Sequence, residues 1–219
     1  MILYNEVMFG GHLWYIPAYM YVIIIVWLVN KYRLSKYLYY AVPLLLIAGL
    51  YLGKYHEIIT GHSHEIYISR NFLFTGLPFF TLGLYIKNKE AVIKANVNKN
   101  LALTGFIVCY FIGFAECLSL KLYEGIGDMY ISTTFAAIFL FVYFLNNKQT
   151  NDNYFSKIGR YESLYIYIFH GVIINVVYRI LMIVSLHTYW RYISTITVFL
   201  ATMLFIKILK KTGLIGKFI

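Results

Sequence analysis

The chain has 219 residues, is 61% hydrophobic and 20% aromatic, and carries only 13% charged residues at a net charge of +10. One soluble core of this size cannot hide so much apolar surface, so a soluble globular domain is excluded and a membrane-embedded protein is expected. The positive charges fall in short stretches between long apolar blocks, which points to membrane topology and away from nucleic acid.

Seven blocks are long enough to cross a bilayer as helices of about 17 to 22 residues. They lie at about 13–29, 37–53, 71–86, 101–119, 129–145, 161–182 and 192–209. The expectation is an all-α polytopic transmembrane bundle of about seven spans, in one domain over residues 1–219, with no internal repeat. Of the nineteen Lys and Arg residues, fourteen fall in the alternate connections that begin with Lys31, Arg33 and Lys36, together with the C-terminal tail. Positive connections stay in the cytoplasm, so the N-terminus is expected outside and the C-terminus inside. No basic n-region precedes the first block, so it does not read as a signal peptide.

The first block opens with "GGHLWYIPAYMY". His12, Tyr15 and Tyr19 share one helical face, with Trp14 at the outer interface. Trp14 is an interfacial anchor or part of a binding site; His12 is a ligand group or merely solvated. Pro17 is tolerated in the first turns, where N–H groups lack intrahelical partners. Most of the 23 tyrosines, such as those around the second block, read as interfacial belt or packing residues.

The next connection, "KYHEIITGHSHEIYISRN", holds His56, His62 and His64 with Glu57 and Glu65. An extended His-x-His can chelate a metal, but no spacing completes a site, so no metal is expected. Arg70 then starts a block carrying Gly76, Pro78 and Gly83, residues that allow close packing or a kink beside a cavity. Arg70 either clamps an anionic or carbohydrate group or snorkels to headgroups. In the fourth block Cys109 and Cys117 read as packing residues, and Glu116 is expected to pair with Lys121.

The sixth block, "IGRYESLYIYIFHGVIINVVYRI", carries Ser163, Tyr167 and His170 within about 60° on a helix wheel. Polar groups in a spanning helix face protein or a water-filled cavity. A neutral imidazole there can exchange a proton near neutral pH, or can simply hydrogen-bond a neighbouring helix. No phosphate loop, GxSxG elbow, HExxH or dinucleotide fingerprint is present, so any chemistry takes place among the helices.

Three segments together resemble the bacterial acyltransferase-3 family of integral membrane proteins. "HLWYIPAYMYV" is similar to the family's His-Leu-Trp start of a helix from the outer side. "SRNFLFTGLPFFTLGLYI" resembles its Arg-Asn-x-x-Phe-x-Gly-x-Pro-Phe-Phe-x-x-Gly segment. "IGRYESLYIYIFHGVI" resembles its late helix with a Ser-Leu-x-Ile-Tyr-x-x-His core.

The resemblance implies ten helices and transfer of an acyl group, commonly acetyl from cytoplasmic acyl-CoA, to a hydroxyl of a cell-surface glycan. It also implies a first helix with an Arg and, about ten residues on, a His as the catalytic pair. Only eleven residues precede His12, so the chain is expected to match the last seven of ten helices. A separate chain would then supply the rest. Arg160 and His170 show a similar spacing, but differ by about 80° on a helix and are not taken as that pair.

The resemblance gives His170 a supporting role in catalysis and makes His12, Trp14, Arg70, Ser163 and Tyr167 substrate-binding. Acyl-CoA is the donor substrate and no cofactor is expected. The expected partners are the lipid bilayer, acyl-CoA and a glycan acceptor, in the bacterial cytoplasmic membrane. Two rivals remain: a transporter or flippase-like protein without covalent chemistry, since the same architecture also occurs fused to vancomycin-resistance serine racemases, and an inactive truncated remnant.

Overall fold

A computed structural model describes residues 11–62, 64–119, 129–147, 153–185 and 187–214. Every regular element among them is helical. The long helices are α1 (Tyr15–Lys31), α2 (Ser35–Leu52), α4 (Leu77–Asn88), α6 (Lys99–Ser119), α7 (Ile131–Asn146), α9 (Ser163–Ile183) and α10 (Trp190–Lys211). Short helices α3 (Lys54–Thr60), α5 (Glu90–Asn96) and α8 (Tyr154–Tyr161) occupy stretches that the sequence reading left as connections.

Each expected apolar block forms a helix, but four are long and apolar enough to cross a membrane. These are Ser35–Leu52, Lys99–Ser119, Ser163–Ile183 and Ile193–Lys211. Helices α1 and α7 are apolar but shorter, and the third block is divided. Its first five residues, Phe72–Gly76, wind as a π-helix before α4. The sixth block, expected at about 161–182, is α9 within a few residues, and Glu162 at its start ends α8 and opens α9.

Large apolar side chains cover the outside of these helices. On α6, Ile107, Val108, Phe111, Ile112 and Phe114 are all exposed. A water-soluble protein does not present such a continuous apolar surface, so lipid is the solvent that this chain is built for. The protein belongs in a membrane. Lys31 folds over Trp27, Lys36 over Tyr37 and Lys99 over Tyr143, which is how basic residues snorkel among interfacial aromatics.

The chain forms two compact units, Met1–Lys148 and Gln149–Ile219. In the first, α1 buries one stripe, Ala18, Val22 and Val26, at the four-residue spacing of a helix face. Val22 and Val26 pack with Leu77 of α4, flanked by Leu38 and Leu45 of α2. A second cluster joins Ile86, Ala102 and Val142. Helices α6 and α7 form the closest pair: a Cβ on Gly105 would stand 2.7 Å from the ring of Phe139, so only glycine permits the approach.

In the second unit α9 pairs with α10. Phe169 and Phe205 meet edge to face, and the Glu162 carboxylate pairs with Lys210 at 2.7 Å. That ion pair fastens the start of α9 to the end of α10. Asn153 caps α8 by accepting from the Ser156 amide at 2.8 Å.

Candidate functional site

The best-defined site is built around the start of the third block. Asn71, 2% exposed, uses its whole side chain there. Its Oδ1 accepts from the Leu73 and Phe74 amides at 2.9 and 3.0 Å. Its Nδ2 donates to the carbonyls of Tyr67 and Ile68 at 3.1 and 2.8 Å. Its own carbonyl accepts from the Thr75 and Gly76 amides, and the bond from Gly76 gives the π register. Pro78 lacks the N–H that would continue this ladder, so the irregular turn sits just ahead of it. Thr75 donates to the Ser69 carbonyl at 2.9 Å. Arg70 is thereby held between two braced residues.

Arg70 and Trp14 line one cavity of about 240 Å³. Gly49, Lys54, Ser69 and Thr133 share its wall. The structure thus joins two residues that the sequence reading singled out in separate segments. A second cavity of about 290 Å³ adjoins it, with Trp14, Thr75 and Phe79 common to both. The rest of that wall is mostly apolar: Ala18, Val22, Gly76 and Phe80, with Tyr15 and Tyr19 at its side. His12 lies in the turn Gly11–Trp14 that ends at Trp14, and its side chain is not described.

Lys54 was not anticipated. It is 4% exposed and pairs with Glu57 one helical turn away, so its charge is compensated locally. The wall behind it is tied by Glu116, whose carboxylate accepts from the hydroxyls of Tyr55 and Ser132. The Tyr55 oxygen in turn accepts from the Ile131 amide at 3.2 Å. Burial, then the Glu116 hydrogen bond, pushes the Tyr55 phenol up to about 12. The sequence reading paired Glu116 with Lys121, which lies outside the described residues; what Glu116 holds is the junction of α3, α6 and α7.

In the second unit, Ile166, His170 and Ile174 of α9 line a cavity of about 340 Å³ together with Trp190, Ser194 and Thr195 of α10. The expected stripe of Ser163, Tyr167 and His170 is therefore turned. Ser163 is exposed, and Tyr167 contacts the His170 ring at 5.7 Å without being part of that wall. His170 Nδ1 lies 2.6 Å from the Tyr167 carbonyl and 3.2 Å from that of Ile166. Carbonyls only accept, so Nδ1 carries the proton and Nε2 is the acceptor nitrogen of the neutral ring.

The loop histidines take a different form from a chelate. His56 stacks on His64 with ring centroids 3.8 Å apart, and Tyr51 meets His56 edge-on. Among the described residues no group of three or more His, Cys, Asp or Glu is placed to hold a metal ion. Partial burial, then the charges of His64 and His62, push the His56 pKa below its ordinary value. At the basic ends Glu90 bridges Lys87 and Lys94, both at 2.5 Å, which holds its carboxyl down at about 2.

Of the builders the sequence reading missed, Asn71 had a signal: an Asn immediately before an apolar run is a cap. Tyr55 had none, because its partners on α6 and α7 arrive from far along the chain.

A family model described as an acyltransferase domain matches residues 4–210, which crosses both units. No curated protein and no solved structure matches the chain.

Proposed function

The chain belongs to the acyltransferase-3 family, and from that premise we propose that it is a membrane O-acyltransferase that moves an acyl group, acetyl first among them, from acyl-CoA to a hydroxyl of a cell-surface polysaccharide or related acceptor. Family membership itself implies acyltransferase activity; the match over residues 4–210 is the observation that carries this reading. The donor and acceptor classes come from the resemblance. In this proposal the seven long helices are the spans, in a bacterial cytoplasmic membrane. The N-terminus is outside and the C-terminus inside, because fourteen of nineteen basic residues then fall on the cytoplasmic side.

The transfer forms two bonds, O–C and S–H, and breaks two, C–S and O–H. The acceptor oxygen bonds to the thioester carbonyl carbon, the carbon–sulfur bond breaks, and the hydroxyl proton ends on the CoA thiol. Arg70 holds the acceptor by hydrogen bonds to its oxygens, and Trp14 offers a flat face against a sugar ring. His12 belongs at the same outer rim. His170 supports proton transfer: with Nδ1–H anchored on backbone carbonyls, Nε2 is the atom that can receive a proton. For Ser163 and Tyr167, which lie off the wall of that cavity, the substrate-contact role is carried by the resemblance alone.

A transporter-like reading draws on one observation, the irregular turn at Phe72–Gly76 followed by Pro78, since broken helices line substrate paths in carriers. Oriented membrane vesicles separate the two. With labelled acetyl-CoA on the cytoplasmic face and a glycan acceptor opposite, the transferase reading expects label in the glycan as an alkali-labile ester. Movement of acceptor across the vesicle wall with no label in it would favour the carrier.

A further inference from the structure

The chain leaves the wall of the Trp14 cavity at Gly53 and Lys54 and returns to it at Ser69 and Arg70. A Cβ on Gly53 would stand 3.6 Å from that of Ser69, so the two feet of this excursion touch. Both feet are braced. Tyr55 holds the first to Glu116 on α6, and Asn71 and Thr75 hold the second through the carbonyls of Tyr67, Ile68 and Ser69. Between them α3 ends at Gly61, whose φ of 72° turns the chain back in a conformation that favours glycine. The returning segment is laid against α3 by a ring stack. His64 covers His56 with centroids 3.8 Å and planes 20° apart, and the Tyr51 ring of α2 meets His56 edge-on.

We propose that residues 53–70 are an acid-released strap: the His56–His64 stack clasps its middle to α3 while both rings are neutral, and protonation parts the rings and opens the cavity beside Trp14 to outside water. The clasp has no place for a proton. Nδ1 of His56 is buried without a hydrogen-bond partner among the described residues, so a proton added there would be a cation with no acceptor. A second charge on His64 would lie face to face with the first. The titratable groups beside His56 are His64 and His62 in the returning segment and Tyr51 on α2, while the Glu57 carboxylate pairs with Lys54. Protonation is relieved by parting the rings into water, where His64 is already exposed. Burial, then the two neighbouring histidines, hold His56 below its ordinary value of 6.5. The clasp is therefore whole above about pH 6.5 and weakens as pH falls through the depressed value. Because the feet are braced, the middle swings without dismantling the wall, and the motion reaches the cavity through Gly53 and Ser69, which meet in it. In the proposed orientation the strap is on the outer side, so it reads the pH of the surroundings. It does not depend on the transferase reading.

The test reads water at Trp14, with the purified full chain in nanodiscs. Trp27→Phe with Trp190→Phe leaves Trp14 as the one reporting indole, since the chain has three tryptophans. His12→Gln in the same background removes the imidazole nearest to it in sequence. The quenching constant of acrylamide, a neutral water-soluble probe, is then measured from about pH 8 down to about pH 5. The expected result is a rise of roughly threefold below about pH 6.5. His56→Phe keeps a ring in the stack and removes the site of protonation, so its constant should stay low throughout. His64→Ala, at an exposed position that does not threaten folding, removes the stack, so its constant should be high throughout. A quenching constant that ignores pH in the background with both histidines would overturn the proposal. So would an unchanged rise in His56→Phe, or a low constant for His64→Ala at about pH 8. A rise in quenching with no loss of amide protection over residues 58–65 would overturn it as well, since the strap would not have moved.

Discussion

The hydroxyl of Tyr55 donates to the carboxylate of Glu116, joining a short helix after α2 to the far end of α6. The same carboxylate receives the Ser132 hydroxyl, so three elements meet on one charge. Removing it strands two donors in a partly buried place. Glu116→Ala should therefore destabilise the protein by about 1–3 kcal/mol, and Glu116→Gln by less, because the amide oxygen still accepts. Thermal unfolding in detergent reads this directly. The phenol adds a test of sign. Its folded pKa is raised from 10.0 to about 12, so its contribution is whole below pH 10.0 and is lost as pH rises through about 12. Spectroscopic titration should show Tyr55 ionising late, seen as the difference from Tyr55→Phe, and Glu116→Ala should move it part of the way back toward 10.0.

Asn71 should be among the least replaceable residues. Ala leaves the amides of Leu73 and Phe74 and the carbonyls of Tyr67 and Ile68 without their bonds, at a cost of about 2–4 kcal/mol. Asp is the sharper variant. It keeps the two acceptor bonds but turns a carboxylate oxygen toward two carbonyls, so it should fail nearly as badly as Ala. If Asp restored wild-type stability, the donor half of this network would be without weight.

Helix existence was legible because each block combines length, apolarity and a basic or aromatic terminus, all local properties. The pairing of Trp14 with Arg70 was legible only as two separate suspicions; the shared cavity depends on how α1 packs on the π-turn. The start of α9 at Glu162 was legible because Arg160, Glu162 and Ser163 interrupt the apolar pattern there, while the lateral bond to Lys210 comes from the other end of α10 and was not. The stripe of Ser163, Tyr167 and His170 was drawn from helix angles alone. Those angles give relative positions on α9, and it is α10 that decides which side becomes a cavity wall.

Gly105 gives a packing test that is independent of any site. A side chain there collides with the Phe139 ring, so Gly105→Leu should push α6 and α7 apart at roughly 1–3 kcal/mol. Combining it with Phe139→Ala should recover part of the loss. A double variant no better than Gly105→Leu alone would mean that the two helices do not meet there.

The stacked histidines predict acid sensitivity in the segment after α2. His56 is held below its ordinary value of 6.5, so the unfolded loop binds protons more readily than the folded one. The stacking contribution is whole above about pH 6.5 and fades as pH falls toward the depressed value. The charges that act on His56 are those of His64 and His62. Protection of the amides over residues 54–65, taken relative to the intrinsic exchange rate at each pH, should fall below about pH 6.5 in the wild type, and His64→Gln should remove most of that dependence.

The most direct test of the whole account is transfer itself. Membranes containing equal amounts of wild type, Arg70→Gln and His170→Gln are given labelled acetyl-CoA and acceptor, and ester-linked label is counted. The account predicts label with the wild type, a loss of at least tenfold with Arg70→Gln that more acceptor partly restores, and a loss with His170→Gln that acceptor does not restore. Label transfer indifferent to both substitutions, or none with the wild type, would contradict it.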